Sequence, residues 1–327
     1  MPLANSIRSI KKSYNIFSKT TLLHKFLYFL ALLVCISLMT NYGRQHVEGF
    51  KDKEIKRKNN EFDMRDDITN IYDDFYVNIY DDMVFCKNKN DFEIGKMIEL
   101  TKPTPKSFFL DIGSGTGHHV SSLQAHGYKA EGIDISPSMV NKAKETYPEF
   151  NYKLADALDG ELYPAETFDQ ITCFYFTLYY IQNKKKLFDN CIKWLVPGGY
   201  LSIHLVNRDK FDPIIPAGNP FNIVSPQKYA DKRITTTTVK FNDFEYKSKF
   251  NLKDTVTSNE EPNAFMLETF KNLKDGGVRK HEHKFYMLTQ AEILDMAKDA
   301  GFIIHAKIDM LKCQYESQFI YILQKPT

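Results

Sequence analysis

The stretch FFLDIGSGTGHHV, residues 108–120, constrains the fold more than any other part of the chain. A short apolar run ends in Gly113, Gly115 and Gly117 and passes directly into a helical pattern. Backbone N–H groups at a helix N-terminus attract polar or anionic ligands, and glycine lets such a ligand approach closely. The nicotinamide fingerprint needs Gly or Ala one residue beyond Gly117, where His118 stands, and the phosphate loop needs a Gly-Lys-Ser/Thr that is absent. Two readings remain for the loop: a close-approach ligand site at the carboxyl end of a strand, or a tight turn alone.

Around it, short apolar strands alternate with helices. SFFLDIG, KAEGIDI, NYKLADA, FDQITCFYF and GGYLSIHLV read as strands, and residues 117–126, SPSMVNKAKETY and 184–195 as helices. Ser136 is placed as N-cap, with Pro137 at the first helical position. This alternation predicts a doubly wound parallel sheet. Upstream, Ile68, Ile71, Tyr72, Phe75, Tyr76, Ile79, Tyr80 and Met83 recur at steps of three and four, which predicts one amphipathic helix with an aromatic buried face. A second helix covers Asp91–Leu100. The alternation breaks over residues 208–285. There ITTTTVKF and FEYKSKFNL meet at Asn242-Asp243, a polar loop follows, and HEHKFYML closes an antiparallel ribbon, read as a lid over the active face. TQAEILDMAKDA, Gly301, FIIHAKIDM and SQFIYILQ then give a last helix and two strands.

Two carboxylates stand where open α/β sheets bind ligands, at strand carboxyl ends. Asp134, in EGIDIS, can accept both hydroxyls of a ribose or serve the following helix as a cap. Asp156, in LADA, can receive the exocyclic amino group of a base or be a plain loop carboxylate.

FLDIGSGTG, GIDIS, LADA, FDQITCFYFTLYYI and LVPGGYLSIHLV occur in one order, and together the chain from about Tyr72 to Leu323 resembles the class I S-adenosylmethionine-dependent methyltransferases. The resemblance implies an α/β Rossmann-like sheet of seven strands ordered 3-2-1-4-5-7-6, with strand 7 antiparallel. It implies S-adenosyl-L-methionine as cofactor, its methionine part lined by Asp111, Gly113 and Gly115, within a loop that also contains Ser114 and Gly117. Asp134 would hold the ribose, Ile135 would lie against the adenine, Asp156 and Ala157 would bound its edge, and Phe174 would border the sulfonium. Tyr72 and Tyr80 would belong to a cap over the cofactor, against a pure packing role.

Methyl transfer from a sulfonium is an in-line displacement that asks for alignment and a dry site. The aromatic run FYFTLYY, residues 174–180, suits a sulfonium by cation–π attraction or is simply buried wall. Where the acceptor must shed a proton, His204, His281, His283 and Tyr175 are the candidate catalytic residues, each against a structural role. No Asp/Asn-Pro-Pro-Tyr follows the fourth strand, no Pro-Cys pair is present, and a net charge of +2 brings no basic path for nucleic acid. The acceptor is therefore expected to be a small molecule, sugar or lipid, methylated on O or N. The alternative is a cofactor-binding scaffold of the same fold without catalysis.

Residues 1–21 read as a tail, and LLHKFLYFLALLVCISLMTNY, residues 22–42, as a single membrane anchor, with a cleaved signal peptide or a buried helix as the rivals. Residues 43–65 read as a charged tether and 66–327 as the methyltransferase domain. The five cysteines form no Cys-x-x-Cys pair, no Asn-x-Ser/Thr triplet occurs, and no metal site is expected. With a cofactor made in the cytosol, the domain is expected to face that side of the membrane.

Overall fold

The computed structural model describes residues 63–213, 227, 230–253 and 261–327, which fall within one unit, Asp52–Thr327. The expected anchor at 22–42, the tail and the tether up to residue 62 lie outside the described residues. Among the described residues no helix is long and apolar enough to cross a membrane. Cys86, Cys173, Cys191 and Cys313 are free thiols, and Cys35 lies outside the described residues.

In chain order the elements are β1 (Asp63–Arg65), α1 (Ile68–Ile71), α2 (Asp74–Val84), α3 (Lys87–Thr101), β2 (Phe108–Ile112), α4 (His118–Ala125), β3 (Lys129–Asp134), α5 (Pro137–Thr146), β4 (Asn151–Leu154) and β5 (Phe168–Cys173). There follow α6 (Thr177–Tyr180), α7 (Lys184–Trp194), β6 (Leu195–Val206), β7 (Thr236–Lys240), β8 (Phe244–Leu252), β9 (Ala264–Asn272), β10 (Val278–Phe285), α8 (Gln290–Asp299), β11 (Ile303–Asp309) and β12 (Gln318–Gln324).

Seven strands form the main sheet in the order β4-β3-β2-β5-β6-β12-β11. Its first five strands pair in parallel, and β12 runs antiparallel to both β6 and β11. Renumbered within the sheet this is 3-2-1-4-5-7-6, the order the resemblance implied. Both faces are covered, as a parallel sheet requires. Leu110 and Ile112 pack with Leu187, Trp194, Ile293 and Ala297 of α7 and α8. The alternate residue Phe109 packs with Met97, Val120, Leu123 and Val140 of α3, α4 and α5.

A second sheet has the order β1-β10-β9-β8-β7, with β1 parallel to β10 and every other pairing antiparallel. Helix α2 lies against it, Tyr76 and Met83 meeting Tyr246 and Phe270. Three local expectations change here. The stretch read as a polar loop contains β9, because Glu268 occupies an inward position where alternation asks for an apolar residue. The end of the expected tether, residues 63–65, is a strand. The single aromatic helix is two pieces, broken where the Asp73 carboxylate accepts the Tyr76 N–H at 3.2 Å and so caps α2. Its break leaves the Tyr72 carbonyl free to accept the Ser136 hydroxyl at 2.7 Å, while Ser136 caps α5 as its sequence predicted.

Candidate active site

The carboxyl ends of β2, β3 and β4 open onto a cavity of about 220 Å³. Asp134 lies in its wall and is bonded to the start of the following helix. Its Oδ2 accepts the Gly115 N–H and its Oδ1 the Ser136 N–H, each at 2.9 Å. A carboxylate oxygen has more than one acceptor direction, so a ribose diol can share it. Burial pushes its pKa up, against the pull of those N–H groups. Ile135 is 39% exposed beside it, an apolar surface that a flat base would cover. Asp156 is exposed on the opposite rim with Ala157, its Oδ1 accepting the Leu158 N–H at 2.9 Å.

A second cavity, about 110 Å³, continues over the glycine loop. Gly113 has φ +70°, and a Cβ there would run into the Thr177 side chain. Gly115 has φ +53° with open space where its Cβ would stand, so a ligand can lie on that backbone. Asp111 is buried at the end of β2, with Oδ1 accepting the Thr172 hydroxyl at 2.6 Å and burial raising its pKa. Its Oδ2, the Ser114 Oγ and the Asn90 Oδ1 are buried in this wall without a hydrogen-bond partner among the described residues. Lys89, also buried here, pairs with Glu93 at 2.9 Å, and His119 meets the same carboxylate at 3.0 Å. Burial raises the Glu93 pKa, but Lys89 and His119 outweigh it and hold the group at about 2. Orphaned acceptors beside a buried ammonium fit an amino-acid zwitterion: Asp111 and Asn90 for the ammonium, Lys89 and Ser114 for the carboxylate. Phe174 lies in the same wall. Gly117, at φ +92°, starts α4 and is not part of it.

A third cavity, about 70 Å³, lies between α2, α6 and the second sheet, and is lined largely by aromatic rings with Gln318 at its base. Tyr72, Tyr80 and Tyr180 belong to all three walls, so the cavities meet at these phenols. Tyr175 borders the second and third, in a left-handed conformation at φ +52° that a tyrosine rarely adopts.

A family model described as a methyltransferase domain matches residues 95–306, well over half of the chain. The chain belongs to that methyltransferase family. The family is that of the class I S-adenosylmethionine-dependent methyltransferases, and S-adenosylmethionine is its cofactor. The ubiquinone biosynthesis O-methyltransferase of Coxiella burnetii is 31% identical over 118 residues, 35% of this chain and 50% of that protein. The phosphoethanolamine N-methyltransferase of Plasmodium falciparum is 33% identical over 144 residues, 41% of this chain and 53% of that protein. The chain thus spans about half the length of the curated relatives it matches. An S-adenosylmethionine-dependent methyltransferase from Clostridium acetobutylicum shares the fold with a TM-score of 0.57 at 16% identity, covering 77% of this chain and 96% of its own.

The methyltransferase brings its sequence-predicted cofactor residues to one edge of the sheet, apart from Gly117. The three candidate histidines line none of these walls. His204 is fully buried in β6, registered opposite Ile320 of β12, and burial pushes its pKa down to about 3. His281 and His283 are fully buried in β10, beneath α2. They face Glu268, whose Oε2 lies 3.5 Å from the His281 Nδ1 and 2.8 Å from the His283 Nε2. Tyr76 and Tyr246 donate to its other oxygen at 3.2 and 2.7 Å. Among the described residues this is the one trio with ligand atoms close enough for a metal, all within 4.8 Å. The donor set does not suit one. The His281 Nε2 accepts from the Arg279 Nε at 2.6 Å, so in a neutral ring its Nδ1 carries the hydrogen toward Glu268 and has no lone pair for a metal; the His283 Nδ1 meets the Tyr180 hydroxyl at 2.6 Å. Sequence reasoning missed Lys89, Asn90, Tyr180 and Glu268. Only Tyr180, inside FYFTLYY, stood in a stretch marked out beforehand.

Proposed function

We propose that this methyltransferase transfers the cofactor's methyl group to an oxygen or nitrogen of a small, uncharged or cationic molecule seated in the aromatic cavity. The observation that carries this reading is the meeting of the three cavities at Tyr72, Tyr80 and Tyr180. When bound, the cofactor supplies an electrophilic methyl on a sulfonium. The tyrosine and phenylalanine rings keep water out and hold positive charge on their faces. The described lining of the acceptor cavity contains Asp212 and no Lys or Arg, which favours a neutral or cationic occupant over an anion. Gln318, whose side chain also meets buried His204, offers its Oε1 as an acceptor for a hydroxyl or amine hydrogen. Of the two relatives one is an O- and the other an N-methyltransferase by name, in keeping with either acceptor atom.

The test follows tritium from methyl-labelled S-adenosylmethionine into a panel of small amines, phenols, sugars and their phosphorylated forms. Labelling of unphosphorylated members is expected. Cofactor binding with no labelled product would favour a non-catalytic cofactor-binding role, and preference for the phosphorylated forms would overturn the reading of the cavity.

A further inference from the structure

We infer that Tyr72, Tyr180, His283 and Glu268 form a proton relay that drains the acceptor atom as it is methylated, a step that rests on the function proposed above. Consecutive members touch through their polar atoms: Tyr72 Oη to Tyr180 Oη at 2.9 Å, Tyr180 Oη to His283 Nδ1 at 2.6 Å, and His283 Nε2 to Glu268 Oε2 at 2.8 Å. One end is a buried carboxylate; the other stands in the wall common to the cofactor and acceptor cavities.

The direction follows from donor counting. Burial raises the Glu268 pKa, but His283, His281 and Tyr246 outweigh it and hold the carboxyl below the usual carboxylate range. A carboxylate only accepts, so the His283 Nε2 carries the hydrogen between them. In the resting state that the relay requires, the His283 ring is neutral, so Nδ1 is its one acceptor nitrogen and takes the Tyr180 hydrogen. With that hydrogen committed, the Tyr180 Oη accepts from Tyr72. The Tyr72 oxygen keeps its lone pairs at the junction.

Transfer then balances. The acceptor atom forms its bond to the methyl carbon as the carbon–sulfur bond breaks and its electron pair stays on sulfur. The acceptor's proton passes to Tyr72, the Tyr72 proton to Tyr180, and the Tyr180 proton to the His283 Nδ1. The positive charge that arrives as a sulfonium ends as an imidazolium beside Glu268. Burial holds the Tyr72 and Tyr180 phenols well above their usual pKa, so they pass protons and do not ionise. The other groups facing the relay are Tyr76, Tyr80, Tyr175, Tyr246 and His281. Arg279 also faces the cluster, donating to the His281 Nε2 at 2.6 Å, and its charge is paired with Asp73 at 2.8 Å. A fully buried carboxylate ringed by imidazoles and phenols is costly to keep in a core, and such clusters concentrate at functional sites.

Two measurements test this on the full chain. Nitrogen NMR of histidine-labelled protein saturated with S-adenosylhomocysteine should show His283 neutral, protonated on Nε2, with an Nδ1 signal that moves in Tyr180→Phe. A hydrogen on Nδ1, or a fixed imidazolium across the assay range, would overturn the relay. In the labelled-methyl assay, Tyr180→Phe and His283→Gln should lose roughly 10²- to 10⁴-fold in turnover at neutral pH while their melting shift with S-adenosylhomocysteine is unchanged. The Tyr180→Phe deficit should shrink about tenfold per pH unit as the acceptor deprotonates in solution. A deficit that is constant with pH, or no deficit, would overturn the relay alone. Inert wild-type protein that still binds S-adenosylhomocysteine would overturn the proposed function itself.

Discussion

On the cofactor side, Asp111 and Asp134 end neighbouring strands, and Asp134 is held by main-chain N–H groups of Gly115 and Ser136. On the acceptor side, Tyr72, Tyr180, His283 and Glu268 are joined side chain to side chain, across gaps of 108 and 103 residues for the first two bonds, with Tyr76 and Tyr246 also donating to Glu268. The first wall is made by the sheet itself, whose ladder fixes it once β2 and β3 pair. The second exists only after α2, α6 and the second sheet have docked. A change in the acceptor wall can therefore leave the cofactor wall standing, and this separability is what experiments should try to break.

The largest expected effect is on cofactor binding. Asp134→Ala removes a charged acceptor and leaves ribose hydroxyls unpaired, about 3 kcal/mol or some hundredfold in affinity, read as loss of the melting shift given by S-adenosylhomocysteine. Retention of that shift would mean the ribose lies elsewhere. Next, Gly113→Ala forces a side chain into a left-handed residue and against Thr177, at about 2 kcal/mol or more of stability in thermal unfolding. Thr177→Gly in the same chain should recover part of it by relieving the contact but not the φ cost. On the acceptor side, Tyr246→Phe takes one donor from Glu268 and should cost about 1 kcal/mol in unfolding with cofactor affinity unchanged. A parallel loss of affinity would show that the two walls are coupled.

The smallest effect at neutral pH is expected at His204. Its folded pKa, about 3, lies below the roughly 6.5 of an exposed histidine, so the unfolded chain binds more protons between these values. Stability therefore falls as pH drops through that window. His204→Leu should remove this part of the acid slope in pH-dependent unfolding and leave methyl transfer near the parent value. An unchanged slope would mean that His204 is paired and charged in the native fold.

Legibility in the sequence divides along the same line. The strand–helix alternation and the placing of Asp134 and Asp156 at strand ends could be read because strands and glycine turns follow local patterns, while the strand order came from the family resemblance. Lys89 could not, since a lysine in KNKNDFEIG has the pattern of a solvated helix face, yet only 6% of it is exposed. The histidines of HEHKFYML were visible as a pair on one strand face, but their partner Glu268 sits in a stretch that its own charge disguised as a loop. Tyr180 read as one ring among several. Its role depends on a contact with His283 that no local period encodes.

Strand β12 lies between β6 and β11, not at an edge. The sheet thus has a slot in its middle that is filled by the element encoded furthest along the sequence. During synthesis β6 must wait, one flank bare, while β7 to β10, α8 and β11 are made. Residues Leu201, Ile203 and Leu205 meet their antiparallel partners Leu323, Tyr321 and Phe319 only afterwards. Non-local pairings of this kind slow assembly and leave a sticky edge meanwhile. A ribosome stalled before Gln318 would hold a chain that already contains every candidate cofactor residue named above but not the strand that completes the sheet, which makes this span a stage at which the nascent protein is exposed to misassembly.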